Sequence, residues 1–378
     1  MIVERTSLER RVVASLDAGR IPVLVGGCAI GRTSVMLRLA RQVRPGEGQY
    51  IDFAAAATTP EHCLAAVRSA SRVRTRDGAP AAPPTSARAA FDGLLDFFDG
   101  AVAADGGPVT FLLDEILDVR TFESFPGLRH VQRDLVARLA ASPSRFVLAS
   151  RFTARAHRLL WDAPAKFEVI HVPPLDAQDT QAIALQLEGA RREWATDIAP
   201  TVTALAAGRA AYVMLMLDAL VAMGFAADPV AALASLFSPE GRLTARARES
   251  YEFRLHRARG YGALKAILGV LAADEPLNLT EISQRLHRTP GSTKDYLSWL
   301  EDVDLVVSRS KRYSFDDPLL RLYVRLYARP VPPTDDEIVR DVTAYAAARL
   351  PRAAEPVTAA VSAAPGEASD ASGIIEID

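Results

Sequence analysis

The chain has 378 residues, a formal net charge of -2 and 49% hydrophobic residues. That is too long for one ordinary domain and rich enough in apolar residues for two or three cores; the near-neutral balance excludes a global electrostatic pull towards nucleic acid or a membrane. Two cysteines, Cys28 and Cys63, cannot build a disulfide framework or a metal site, and no secretory signal precedes the first apolar run, so a reducing cytoplasm is expected. The apolar run at 212–227 is broken by Asp218 and is too short for a membrane span.

Residues 1–174 alternate short apolar strands with helix-length segments. Strands are predicted at 23–26, 50–53, 109–113, 146–149 and 168–172, because each is a short apolar or β-branched run bounded by polar, Gly or Pro residues. Helices are predicted at 33–43, 60–71, 87–103 and 127–141. This alternation implies an α/β fold with a parallel sheet covered on both faces. The segment "RVRTRDGAPAAPPTSAR" (72–88) has the composition of an exposed, mobile insertion.

Beyond "VPPLDAQDT" (172–180) the strand pattern stops. Asp176 is placed to cap a helix, the apolar spacing is helical to about 238 with a turn at Ala207 and Gly208, and 175–257 read as a small helical domain. The block 258–328 reads helix 261–273, helix 280–286, a turn, helix 292–302, and two strands, 305–307 and 313–315, around "SRSKR". That order makes a winged helix. A further helix is expected within 329–350. Residues 351–378 are Ala, Pro, Ser and Glu without periodicity, a composition expected to be disordered, and end in "GIIEID", an apolar-acidic segment able to add a strand to a sheet edge.

Two stretches carry chemistry. "GGCAIGRTS" (26–34) is a Gly-rich turn between strand and helix, so the backbone of Gly26, Gly27, Cys28, Ala29, Ile30 and Gly31 can cradle a phosphate at a positive helix end, beside Arg32 and Ser34. Thr33 is placed to put its hydroxyl on Mg²⁺. "VTFLLDEI" (109–116) is an apolar strand ending in two acids, with Asp114 suited to holding Mg²⁺ and Glu115 to polarising an attacking water. The position where such loops carry lysine is Arg32, in a chain whose lysines are Lys166, Lys265, Lys294 and Lys311 alone. Arginine is longer, planar and forked, so hydrolysis should suffer more than binding. In the third block, the helix "GSTKDYLSWLED" sets Lys294 against Asp295, Glu301 and Asp302, whereas Arg309, Lys311 and Arg312 cluster at the hairpin, where DNA backbone contacts compete with an ordinary solvated turn.

In this order the motifs resemble those of ASCE-type P-loop ATPases, and among them the AAA-related ATPases of the archaeal-ATPase and STAND-like kind with a C-terminal winged helix. "VERTSLERRVVASL" (3–16) is similar to that group's lead-in, "GGCAIGRTS" to its Walker A, "FLLDE" (111–115) to its Walker B, "FVLASR" (146–151) to its sensor-1 strand, "AAGRAAYV" (206–213) to its lid motif, and "YSFDDPLLRLYVRLY" (313–327) to the end of its winged helix. The resemblance covers most of 1–328. It implies a three-layer core with sheet order 5-1-4-3-2, ATP and Mg²⁺ as ligands, Ser150 beside the γ-phosphate, Arg151 or Arg145 as an arginine finger, and Arg209 closing the lid over the nucleotide, although the lid's proline is replaced by Ala210 or Ala211. The function it implies is an ATP-binding switch, with ATPase activity weakened by Arg32, that engages an unidentified protein partner or a second copy of the chain. The alternative is a nucleotide-independent DNA-binding or scaffold protein with a vestigial loop.

Overall fold

The computed structural model describes residues 4–76, 83–255 and 260–351; the "GIIEID" end and the middle of the 72–88 segment lie outside the described residues. The strands in chain order are β1 (Ile21–Val25), β2 (Gly48–Asp52), β3 (Arg74–Thr75), β4 (Ala101–Val102), β5 (Thr110–Asp114), β6 (Arg145–Ser150), β7 (Phe167–His171), β8 (Leu277–Asn278), β9 (Val306–Arg309) and β10 (Arg312–Phe315). Five of them form one parallel sheet in the order β2-β5-β6-β1-β7. This numbering departs from the expected 5-1-4-3-2 because an antiparallel pair of two-residue strands, β3 with β4, intervenes in the chain before β5. In the sheet itself, β6 lies between β1 and β5, with Val23 opposite Leu148 and Phe111 opposite Phe146.

Successive strand side chains point to opposite faces, so a strand covered on both sides must be apolar throughout. Along β1, Val23 and Val25 join the larger core, whereas Leu24 joins a second cluster with Val12, Val35, Met36 and Val147. The first face carries a ring stack: Phe98 lies 4.8 Å from Phe111 and Phe111 lies 5.8 Å from Phe146, centroid to centroid. Helices Thr6–Asp17 and Arg32–Gln42 close the second face.

Four core helices escaped the sequence pattern: Thr6–Asp17, whose segment carries only the lead-in resemblance, and Phe53–Ala56, the 3₁₀ helix Ile116–Ser124 and Thr153–Leu160. The last three are short and sit just after strand ends, where periodicity has no room to develop. The helix expected from 127 starts at Val131, because Gly127 turns with φ 77°.

Helices Ala177–Ala184, Arg192–Leu205, Ala210–Met223, Pro229–Leu236 and Arg242–Leu255 follow the sheet. The first opens with a reciprocal capping box between Asp176 and Asp179. Next come Tyr261–Ala273, Leu279–Arg285 and Pro290–Asp302, with a small antiparallel sheet in the order β8-β10-β9. Helices Pro318–Tyr327 and Asp335–Ala347 complete the described chain, and the Tyr345 hydroxyl donates to the Leu205 carbonyl at 2.8 Å. The chain's last third also returns to the sheet's loop end: Asp304 accepts from the amides of Thr153 and Ala154, capping the helix that follows β6.

Candidate nucleotide-binding site

The loop after β1 depends on backbone geometry that ordinary side chains resist. Gly26 has φ 156°, Gly31 φ 101° and Ala29 φ 64°, and Gly31 N-caps the helix Arg32–Gln42, whose first amides point into the loop. The cleft at its mouth has a volume of ≈ 460 Å³ and is lined by residues 28–34, Glu115 and Arg151, with Ala210, Ala211, Met214 and Arg246 on the opposite wall. That size suits a small-molecule ligand.

Arg32 folds back into the loop rather than out of it. Its Nη1 donates to the carbonyls of Gly26 and, at 2.6 Å, Gly27; its Nη2 donates to Glu115 Oε1 at 3.2 Å. Only 8% of the Arg32 side chain is exposed, and its Nε is buried without a hydrogen-bond partner. A buried orphan donor is costly unless an anion completes it. Nη1 therefore braces the loop while Nε remains as a donor suited to a phosphate oxygen.

Glu115 sits in the left-handed backbone region at φ 51°. Its Oε2 accepts from the Arg151 backbone N–H at 2.9 Å and lies 3.0 Å from Arg151 Nε, so the carboxylate is held between two guanidinia. Burial pushes its carboxyl up, but Arg32 and Arg151 outweigh burial and hold it below the usual range. Arg151 also donates from Nη2 to Asp118 Oδ2 at 2.8 Å. Both arms of the guanidinium thus face carboxylates of its own chain, the opposite of a finger extended to a neighbour.

Burial, then the charge of Glu115, pushes the Asp114 carboxyl up, while hydrogen bonds from Thr33 and Tyr50 pull it down. The Tyr50 hydroxyl donates to Asp114 Oδ2 at 3.0 Å. Thr33 and Asp114 stand together, a hydroxyl and a carboxylate of the kind that hard divalent cations take. Ser150 is 1% exposed, and its Oγ accepts from the Phe152 amide at 3.1 Å.

Arg209 ties the loop to both later parts of the chain. From Nη1 it donates to the Cys28 carbonyl at 2.5 Å; from Nη2 it donates to the Asp316 carbonyl at 2.7 Å and to Asp316 Oδ2 at 3.0 Å. Asp317 Oδ1 lies 3.7 Å from its Nε. Burial opposes the charge, yet the two carboxylates raise the Arg209 pKa. Tyr212 donates to Asp317 Oδ2 at 2.7 Å, and Asp317 Oδ1 caps the helix Pro318–Tyr327 through the amides of Leu319 and Leu320.

The structure thus gathers the sequence-derived residues 26–34, Asp114, Glu115, Ser150, Arg151 and Arg209 around one loop, and leaves Arg145 at the far end of β6, paired with Asp17. Sequence reasoning missed Arg5, which donates from Nη2 to the Ile30 carbonyl at 3.1 Å; it also missed Tyr50, Asp118 and Asp316. Tyr50 would have followed from the register, since its strand pairs with β5 so that Asp52 stands opposite Asp114. Among the described residues no group of three or more His, Cys, Asp or Glu could hold a metal ion by itself, and no helix is long and apolar enough to cross a membrane.

No protein-family model matches the chain, and no curated protein matches it in sequence. Among solved structures, the Walker-type ATPase of Pyrococcus abyssi superposes with a TM-score of 0.64 at 15% identity, over 86% of this chain and 96% of that one. The Orc1 protein of Aeropyrum pernix, solved in complex with DNA, gives 0.43 at 16% identity over 86% and 92% of the two chains. The Cdc6 protein of Pyrobaculum aerophilum gives 0.39 at 12% identity over 93% and 100%. The first likeness shows the fold: the chain shares that of the Walker-type ATPase of Pyrococcus abyssi, an α/β core built on a parallel five-stranded sheet.

Proposed function

We propose that the chain is an ATP-binding molecular switch. Mg²⁺-ATP sits between an α/β core (1–174) and a helical lid (175–257), and the nucleotide state repositions a winged-helix domain (258–328), backed by the helical segment 329–350, to engage a partner protein, a second copy of the chain included. The observation that supports this most directly is the Arg209 bridge, one guanidinium joined to the loop at Cys28 and to the C-terminal block at Asp316. A polyphosphate in the cleft competes for that guanidinium, and the competition loosens the C-terminal block.

Thr33 and Asp114 would hold the metal, which supplies charge neutralisation at the β- and γ-phosphate oxygens. The first amides of the helix Arg32–Gln42 and Arg32 Nε would bind the phosphates. Glu115 can orient a water only after Arg32 and Arg151 release it, so turnover is slow by construction. A fluorescent ATP analogue titrated against the full chain, with and without Mg²⁺, should saturate at submillimolar nucleotide; the absence of a saturable signal would sink the reading.

A second reading, a nucleotide-independent DNA-binding or scaffold protein with a vestigial loop, is favoured by the way Arg32 fills its own cradle through Gly26 and Gly27. Arg32→Lys separates the two, since it raises ATPase activity in a live site and leaves a dead one silent. Arg309 and Lys311 stand exposed at the hairpin tip, whereas Arg312 donates to the Pro276 carbonyl at 2.9 Å. A salt-dependent shift of duplex DNA that disappears when all three become Glu would assign the partner as DNA.

A further inference from the structure

A cleft of ≈ 860 Å³ opens between the α/β core and the C-terminal block, on the other side of Arg151 from the loop. Two of its cations, Arg155 and Arg254, make no direct ion pair among the described residues, although Asp302 and Asp304 attract the first and Asp304 the second from further off. Arg254 is 5% exposed and makes one hydrogen bond, from Nη1 to Ser250 Oγ at 3.3 Å. Arg155 makes no hydrogen bond or ion pair among the described residues; its guanidinium lies 4.6 Å over the Phe152 ring, and burial, then the like charges of Arg120 and Arg158, disfavour its charged form against the weaker pull of Asp302 and Asp304. Guanidinia withdrawn from water without carboxylates are costly, and a bound anion removes that cost.

The same cleft presents aromatic surface. Phe253 is 53% exposed although large and apolar, and Trp299 lines the cleft on the side of the C-terminal block. Rings of this kind stack on nucleobases irrespective of base identity, and guanidinia pair with phosphate oxygens in a planar fork. The balance of charge limits the anion's size: Arg120, Arg155 and Arg254 stand against Asp118, Glu249 and Glu252 on the same walls, so a longer polyphosphate is repelled, one phosphate suits Arg155 and Arg254, and the carboxylates can accept from ribose hydroxyls or base amines. We infer that this cleft is a second ligand site, separate from the Gly-rich loop, that binds a nucleoside monophosphate, with Arg155 and Arg254 on the phosphate and Phe253 and Trp299 on the base.

The site is wired to the first one. Asp118 lines the cleft and accepts from Arg151 Nη2, while the Arg151 backbone N–H donates to Glu115. A ligand that displaces Asp118 therefore alters the clamp on Glu115.

Equilibrium dialysis of labelled AMP, GMP, CMP and UMP against the full chain tests the inference. At least one should bind saturably below about 1 mM, at one equivalent per chain, and Arg155→Ala or Phe253→Ala should each weaken it ~10-fold while the circular dichroism spectrum and binding of the fluorescent ATP analogue stay unchanged. Three results would each overturn it: no saturable binding, binding indifferent to both substitutions, or phenyl phosphate binding as tightly as the nucleotides. The last would mark a site for phosphorylated aromatic side chains of a protein. Because this assay does not depend on the loop, its failure leaves the ATP-switch reading untouched.

Discussion

Arg32 makes two kinds of contact at once, one to the loop backbone and one to Glu115. One nitrogen does the bracing that a compact ammonium would do from inside the loop; a second nitrogen ties up Glu115, which a lysine is too short and too sparsely branched to do at the same time. Arg32→Lys should therefore raise ATP turnover by ~10-fold or more in a steady-state phosphate-release assay, with nucleotide affinity changed little. Glu115→Gln should do the reverse, keeping nucleotide binding and lowering turnover by roughly 100-fold or more in the same assay. The loop and the acidic strand end were legible in the sequence because Gly spacing and an apolar run ending in acids are local signals. The clamp on Glu115 was not, because Arg151 meets it from another strand, and a chain this rich in arginine gives no hint which guanidinium is buried.

At the scale of elements, the sheet is held by matched faces and its loop end by caps. Phe111 touches Phe98 and Phe146 in the centre of the larger core, so Phe111→Ala should cost about 3–5 kcal/mol, read from urea denaturation of the full chain. Asp304, a cap supplied to the helix Thr153–Leu160 from a distant part of the chain, carries a pH signature. Burial pushes its carboxyl up from 3.8 to about 6 against the pull of the two amides it caps and of Arg254. A native pKa above the unfolded one means that the folded state binds the extra proton, so stability contributed by this group is present below the unfolded pKa and is lost as pH rises from 3.8 to about 6. Asp304→Asn should remove that part of the slope when melting temperatures of the two proteins are compared between about pH 4 and about pH 7. The five strands of the parallel sheet could be placed from periodicity; this cap could not, since it joins residues 151 positions apart.

For the whole molecule, Arg209 is a junction that joins the loop to the C-terminal block. Its guanidinium is 8% exposed and faces Asp316 and Asp317, which are 26% and 3% exposed, so Arg209→Ala leaves Asp317 as a buried carboxylate without its cation. Such a loss costs about 3 kcal/mol or more. Hydrogen exchange should quicken together at 26–31 and at 316–320, segments far apart in sequence, and ATP should produce a weaker version of the same pattern in the unaltered chain. Exchange that rises at one segment alone would show that Arg209 couples nothing. The order of core, helices and hairpin block was readable in the sequence, but the contact between its first and last motifs was not, because Asp316 looks like an ordinary turn residue before a proline-started helix.

Gly27 gives that junction a geometric key. A Cβ at this position would stand 2.6 Å from Asp316 Oδ2 and 2.7 Å from Arg209 Nη1, while Gly27 has no positive φ to forbid a side chain on backbone grounds. A single methyl there is thus a wedge rather than a distortion. Gly27→Ala should therefore push the Arg209 guanidinium and the Asp316 carboxylate apart in an otherwise intact chain, and hydrogen exchange at 26–31 and 316–320 should quicken as it does in Arg209→Ala; exchange unchanged at both segments would show that the two side chains simply swing aside.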